Sequence, residues 1–210
     1  MHRIGRLHVL TDFTFQQRYS HAEQALMAIK GGAEVIQFRQ KHGSIRDMYA
    51  EAMAVKKVCE HENVTFLVND RVDLALAVGA DGVHLGQTDL PVSAARRILG
   101  PGAIIGVTAP DRELARRAEE QGADYVGFGP VFLTRSKANP TSVKGVGGLQ
   151  KFCGSVSLPV IAIAGITVDR TAEVLEAGAH GIAVMTAISL AQYPEIETQK
   201  FSLALMGQHD

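Results

Sequence analysis

A Gly-Ala pair, one polar residue and a run of strand formers recur four times in this chain, at Gly32-Ala33-Glu34, Gly79-Ala80-Asp81, Gly122-Ala123-Asp124 and Gly178-Ala179-His180. Glycine lacks a Cβ and takes the left-handed conformation that ends helices without steric cost. Each phrase therefore predicts a helix end followed by a strand start. Helix-to-strand units repeated along one chain predict a parallel sheet wrapped by helices. In such folds chemistry gathers beyond the carboxyl ends of the strands.

Eight strand candidates follow, at residues 7–11, 34–39, 65–69, 82–85, 103–108, 125–129, 160–164 and 181–186. Most are continuous apolar runs, the pattern of strands buried on both faces. Helix candidates between them include 45–61, 111–121 and 169–177. Eight strand–helix units match a single-domain (β/α)8 barrel, the TIM-barrel class, spanning residues 1–210. A doubly wound open sheet is the main rival, but no GxGxxG follows the first strand. The longest irregular stretch is 133–148, rich in Ser, Asn, Pro and Gly.

The formal net charge of -1 gives no reason to expect nucleic acid or an anionic membrane as partner. Cys59 and Cys153 form no CxxC and read as reduced thiols. The N-terminus has too short an apolar run for a signal peptide, and no window approaches a membrane span. The expectation is a soluble cytoplasmic protein acting on small molecules, with homo-oligomerisation left open.

Polar residues cluster where the strands should end. Gln37, Arg39 and Lys41 alternate at the end of the second, and alternation in extended chain places side chains on one face. Two cations there suit a phosphate or diphosphate, against the plainer reading of a solvated loop. Asp70 and Asp89 follow the third and fourth strands and would present two carboxylates to one space, a donor set that suits Mg²⁺. Each also has a plainer reading as a helix cap. Thr108 ends the fifth strand; Thr134, Ser136 and Lys137 follow the sixth, and their hydroxyls and ammonium suit phosphate oxygens. Gly165 follows the seventh and lets backbone amides approach a ligand, and Thr186 ends the eighth. His8 and His84 lie within strands, with His84 placed to point into a barrel; a lone strand histidine is more often a satisfied core residue. No HxH, HExxH, CxxC or GxSxG pattern supports zinc or serine-hydrolase chemistry.

Taken together, GGAEVIQFRQK, VNDRVDLALAVGADGVHLGQTD, GADYVGFGPVFLTRSK, PVIAIAGIT and GAHGIAVMTAI resemble the thiamine phosphate synthase family over nearly the whole chain. The second block is the most specific. The resemblance implies a (β/α)8 barrel that joins a hydroxymethylpyrimidine diphosphate to a thiazole phosphate, releasing pyrophosphate. Carried over by position, it implies that Gln37, Phe38, Arg39, Gln40, Lys41, Asn69, Thr108 and Lys137 bind the pyrimidine diphosphate. It implies Mg²⁺ on Asp70 and Asp89, and Thr134, Arg135, Ser136, Gly165, Met185 and Thr186 on the thiazole phosphate. The implied step is dissociative: diphosphate leaves first, and the thiazole nitrogen attacks the resulting pyrimidine-stabilised cation. Arg39, Lys41 and Lys137 then serve the leaving group, and no strong protein base is needed.

This chain departs from the family pattern at four places. Ala164 stands for the first of two glycines, Leu133 for a frequent proline, and Thr108 and Thr186 for serines. The rival readings are the thiazole tautomerase branch and a non-catalytic barrel that binds a phosphorylated ligand. Asp70, and Pro130 where the tautomerase branch carries a histidine, favour the synthase.

Overall fold

In the computed structural model, which describes residues 4–134, 136 and 142–207, the four Gly-Ala phrases close four helices in the same way. The glycines Gly32, Gly79, Gly122 and Gly178 have φ of 97°, 64°, 90° and 95°. Each donates its N–H three residues back, to Ile29, Leu76, Glu119 and Leu175 respectively. Each following alanine donates five residues back, to Ala28, Ala75, Ala118 and Val174. That pair of bonds is the Schellman stop, which satisfies the last carbonyls of a helix. The polar third residue then opens the next strand. The amides of Glu34, Asp81, Asp124 and His180 donate to the carbonyls of Leu7, Phe66, Ile105 and Val160, each on the preceding strand. Asp81 and Asp124 also accept, through Oδ2, from the amides of Phe66 and Ile105 at 2.7 Å each. The phrase is thus a complete helix-to-sheet joint.

The elements run β1 (Leu7–Thr11), α1 (His21–Lys30), β2 (Val35–Phe38), α2 (Ile45–Glu62), β3 (Thr65–Asn69), α3 (Val72–Val78), β4 (Gly82–Leu85), α4 (Val92–Leu99), β5 (Ile104–Thr108), α5 (Arg112–Glu120), β6 (Tyr125–Phe128), α6 (Gly145–Cys153), β7 (Val160–Ile163), α7 (Thr171–Glu176), β8 (Gly181–Val184), α8 (Thr186–Ser189) and α9 (Pro194–Met206), with a 3₁₀ turn at Val168–Arg170. The strands pair in sequence order, all parallel, and β8 returns to β1: a closed (β/α)8 barrel. The open-sheet rival is excluded by that closure.

Side-chain alternation splits the core into two. Ile36, Phe38, Phe66, Val68, Val83, Leu85, Val126 and Phe128 face outward and pack under the helices. Leu10, Val35, Leu67, Ile104, Tyr125, Ile161 and Ala183 fill the barrel. A Cβ at Gly106 would lie 2.1 Å from the Tyr125 ring, so this glycine on β5 makes the room that the tyrosine on β6 occupies.

Several expected boundaries move. β2 stops at Phe38 and β8 at Val184, so Arg39 and Thr186 lie beyond their strands. The helix expected from 169 begins as the 3₁₀ turn. The glycine-rich end of the 133–148 stretch is the first turn of α6. Cys59 is buried, Cys153 half-buried, and both are free thiols. Among the described residues no helix is long and apolar enough to cross a membrane.

Candidate functional site

At the carboxyl end of the barrel Arg39 is bound at two points, to the last residue of β1 and to the residue after it. Its backbone amide donates to the Thr11 carbonyl at 3.2 Å, and Nη1 donates to Oδ2 of Asp12. The Asp12 side chain is 1% exposed and that of Arg39 is 19% exposed. Asp12 is further held by the Thr14 amide, which donates to Oδ1, and its own amide donates to Gln24 Oε1 on α1 at 3.4 Å. Burial lowers the Arg39 guanidinium from its ordinary value, and the Asp70 charge opposes that shift.

Lys41 Nζ donates to Asp70 Oδ2. Asp70 has φ of 64°, a left-handed conformation that favours glycine and that aspartate tolerates better than most other residues. The cap reading for Asp70 fails: the N-cap of α3 is Arg71, with no side-chain capping bond. The cap reading for Asp89 fails too, since Pro91 is the N-cap of α4. Asp89 instead accepts through Oδ2 from the Gly86 amide at 2.6 Å. Burial raises the Asp89 carboxyl, the Gly86 amide opposes this, and the adjacent Asp70 raises it further. The two carboxylates are thus close enough to repel.

Below this rim lies a polar layer. Gln37 is 3% exposed and points into the barrel by alternation from Val35. His84 on β4 bonds through Nδ1 to the Tyr125 hydroxyl at 2.9 Å and through Nε2 to Thr108 Oγ1 at 3.0 Å. Burial lowers His84 to about 4 and raises Tyr125. Asn69, beside His84 in the β3–β4 register, is half-buried at the end of β3. Gln40 donates to the His42 carbonyl at 3.0 Å, while its buried Oε1 has no partner among the described residues. Phe38 turns its side chain away from this layer. Its side chain is 1% exposed under the helix layer, 4.5 Å from the His21 ring, because Gln37 takes the inward position. Only the Phe38 backbone faces the rim.

A second polar cluster spans β6 to β8. Thr134 Oγ1 donates to Ser136 Oγ at 3.1 Å and accepts from the Ser136 amide at 3.2 Å. Ser136 Oγ and Thr186 Oγ1 are 3.0 Å apart. Thr186 opens α8, and Met185 before it packs into the barrel interior. Gly165 has φ of 67°, and a Cβ there would lie 2.6 Å from the Leu133 carbonyl oxygen, so both conformation and space require glycine. Three hydroxyls beside that tight backbone form a cup suited to a phosphate. Arg135 and Lys137 lie outside the described residues.

The functional-site candidate that sequence reasoning missed is Asp12. The Thr-Asp pair ending β1 was the available signal, but its meaning depends on Arg39, 27 residues away.

The family model for thiamine monophosphate synthase matches residues 7–188. The thiamine-phosphate synthase of Salinibacter ruber is 57% identical over 204 residues, covering 97% of this chain and 90% of that protein. That of Coprothermobacter proteolyticus is 49% identical, covering 87% of this chain and 86% of its own. The solved structure of a thiamine phosphate pyrophosphorylase from Pyrococcus furiosus superposes with a TM-score of 0.88 at 38% identity, covering 98% of this chain and 97% of its own.

Proposed function

The chain belongs to the thiamine monophosphate synthase family, and we propose that its barrel mouth condenses a pyrimidine methyl diphosphate with a thiazole phosphate, giving thiamine phosphate and pyrophosphate. The observation that carries the site assignment is the Lys41–Asp70 pair beside Asp89, with Arg39 at the same rim. Cations and acidic oxygens meet there in the mixture that a metal-bound diphosphate needs.

The residues fit Mg²⁺. Among the described residues no group of three or more His, Cys, Asp or Glu is gathered. Mg²⁺ is commonly held by one or two carboxylates, the remaining positions going to water and substrate phosphates. Asp70 and Asp89 are oxygen donors whose mutual repulsion a dication between them would relieve. Bound there, Mg²⁺ would neutralise charge building on the departing diphosphate.

The chain's own groups divide the remaining work. Arg39, Lys41 and Lys137 bind the diphosphate and stabilise its negative charge as it leaves. Gln37, Asn69 and Thr108, with the backbone at Phe38 and Gln40, hold the pyrimidine end over the polar layer. His84 fixes the Thr108 hydroxyl and, lowered to about 4, is neutral near pH 7. Thr134, Arg135, Ser136, Gly165, Met185 and Thr186 hold the thiazole phosphate, so that the ring nitrogen waits beside the breaking bond. No group is needed to remove a proton from the attacking nitrogen.

Purified protein with Mg²⁺ and both substrates should release pyrophosphate and form thiamine phosphate. Asp70→Ala should lose most of this activity with a much smaller fall in the urea midpoint, because the carboxylate makes no capping bond and alanine forfeits only a partly exposed Lys41 pair and the better left-handed tolerance of aspartate. An unfolded Asp70→Ala protein, or folded native protein without product, would overturn the assignment.

A further inference from the structure

We propose that Asp12 is a positioning residue that fixes the Arg39 guanidinium at the mouth of the barrel so that its free edge meets the diphosphate; this rests on the site reading above. The pair is asymmetric. Asp12 is 1% exposed at the end of β1, whereas Arg39 is 19% exposed beyond β2. The carboxylate is therefore an inner anchor and the guanidinium an arm reaching the rim. The anchor is itself fixed: the Thr14 amide donates to Oδ1, leaving Oδ2 for Arg39, and the Asp12 amide is tied to Gln24 on α1.

The chemistry of the fork explains why such an anchor is useful. A guanidinium carries five N–H donors in one plane. Donation from Nη1 to Asp12 leaves other donors for phosphate oxygens and sets the orientation of the plane. An unanchored arginine would have to lose its rotamer freedom when the diphosphate binds, and that cost lowers affinity. Because the Arg39 amide is also bonded to Thr11, backbone and side chain are both referenced to the Thr11-Asp12 end of the β1 segment rather than to the loop that follows β2. Fidelity of this kind is what a supporting shell supplies to a charged binding group.

The test is a double-mutant cycle on the complete protein, read as steady-state pyrophosphate release with each substrate varied in turn. Arg39→Gln should lower kcat/KM for the pyrimidine diphosphate strongly; native kcat/KM in that variant would overturn the site reading, and this inference with it. Asp12→Asn should lower the same kcat/KM by about 10-fold or more, with KM for the thiazole phosphate unchanged. In the Arg39→Gln background, Asp12→Asn should cost less than about 2-fold, since the residue it positions is gone. Equal losses in both backgrounds would show that Asp12 acts apart from Arg39 and would overturn the proposal while leaving the site reading intact. If Asp12→Asn is too unstable to assay, Asp12→Glu keeps the charge but displaces it by one methylene. Full activity of Asp12→Glu, or the same loss with and without Arg39, would overturn the proposal equally.

Discussion

Ala164 adopts φ of 83°, a conformation that favours glycine, at the turn leaving β7. The turn is pinned on both sides: the Phe132 amide donates to the Ala164 carbonyl at 3.1 Å, and Arg170 donates to the Gly165 carbonyl at 2.8 Å. The loop therefore holds Ala164 in place against its own preference, and relaxation would disturb the backbone beside Thr134 and Ser136. Ala164→Gly should raise stability by about 1 kcal/mol in urea unfolding, because relief of the left-handed strain exceeds the added entropy of the unfolded chain. A fall in stability would mean that packing of the methyl outweighs the strain. Asp70 shows the same tension with a different purpose. Its carboxylate reaches Lys41 from a left-handed residue that an asparagine or glycine would adopt more readily. Strained residues of this sort concentrate at working sites.

The Schellman joints lead into β2, β4, β6 and β8, every second strand of the barrel, and those strands are followed by Arg39 and Lys41, Asp89, Thr134 and Ser136, and Thr186. A related stop precedes β3, with Asn63 at φ of 55° in the glycine position. The joints differ in their surroundings, so one substitution has graded costs. A Cβ on Gly79 meets nothing within 4 Å, whereas one on Gly32 lies 2.5 Å from Ser202 Oγ on α9. Gly79→Ala should cost about 1 kcal/mol, the conformational term alone, and Gly32→Ala distinctly more; equal urea midpoints would refute this ordering. These joints also explain what could be read from the chain without coordinates. Apolar runs place all eight strands, the Gly-Ala joints fix the starts of every second one, and together they set Arg39, Asp89, Thr134 and Thr186 at the carboxyl end. Local reading failed where long-range contacts decide. Asp70 carries both a metal reading and a cap reading until its partner Lys41 is seen, and the outward turn of the Phe38 side chain follows only once the barrel fixes its alternation from Gln37. Asp12 had no meaning apart from Arg39. The start of α6 reads as loop in sequence because Gly145, Gly147 and Gly148 are poor helix formers, an example of tertiary context overriding propensity.

At the scale of the whole molecule, the fold keeps three histidines neutral in its interior, and this sets its response to acid. His8 and His84 both contact Tyr125 inside the barrel, with ring centroids 5.3 and 5.5 Å from its ring. His21 opens α1 between Phe13 and Phe38 and bonds to Thr11 Oγ1 at 2.7 Å. Burial lowers His8 to about 3, His21 to about 4 and His84 to about 4. For His8 the Gly5 carbonyl opposes the shift, while His84 and His180 add to it; for His84 the Asp70 charge opposes it. Each group is neutral in the folded chain over a range where an unfolded histidine, with its ordinary value near 6.5, binds a proton. The unfolded state therefore holds more protons between about pH 6.5 and pH 4, and stability falls as pH falls through that window. Each histidine adds a slope approaching about 1.4 kcal/mol per pH unit. Urea unfolding at pH 7 and pH 5 should show a much lower midpoint at pH 5, before the ordinary carboxylates titrate. His8→Gln should remove one proton's worth of that slope, even though it lowers stability at pH 7. A pH dependence unchanged by His8→Gln would show that the barrel admits water to this histidine and protonates it in place.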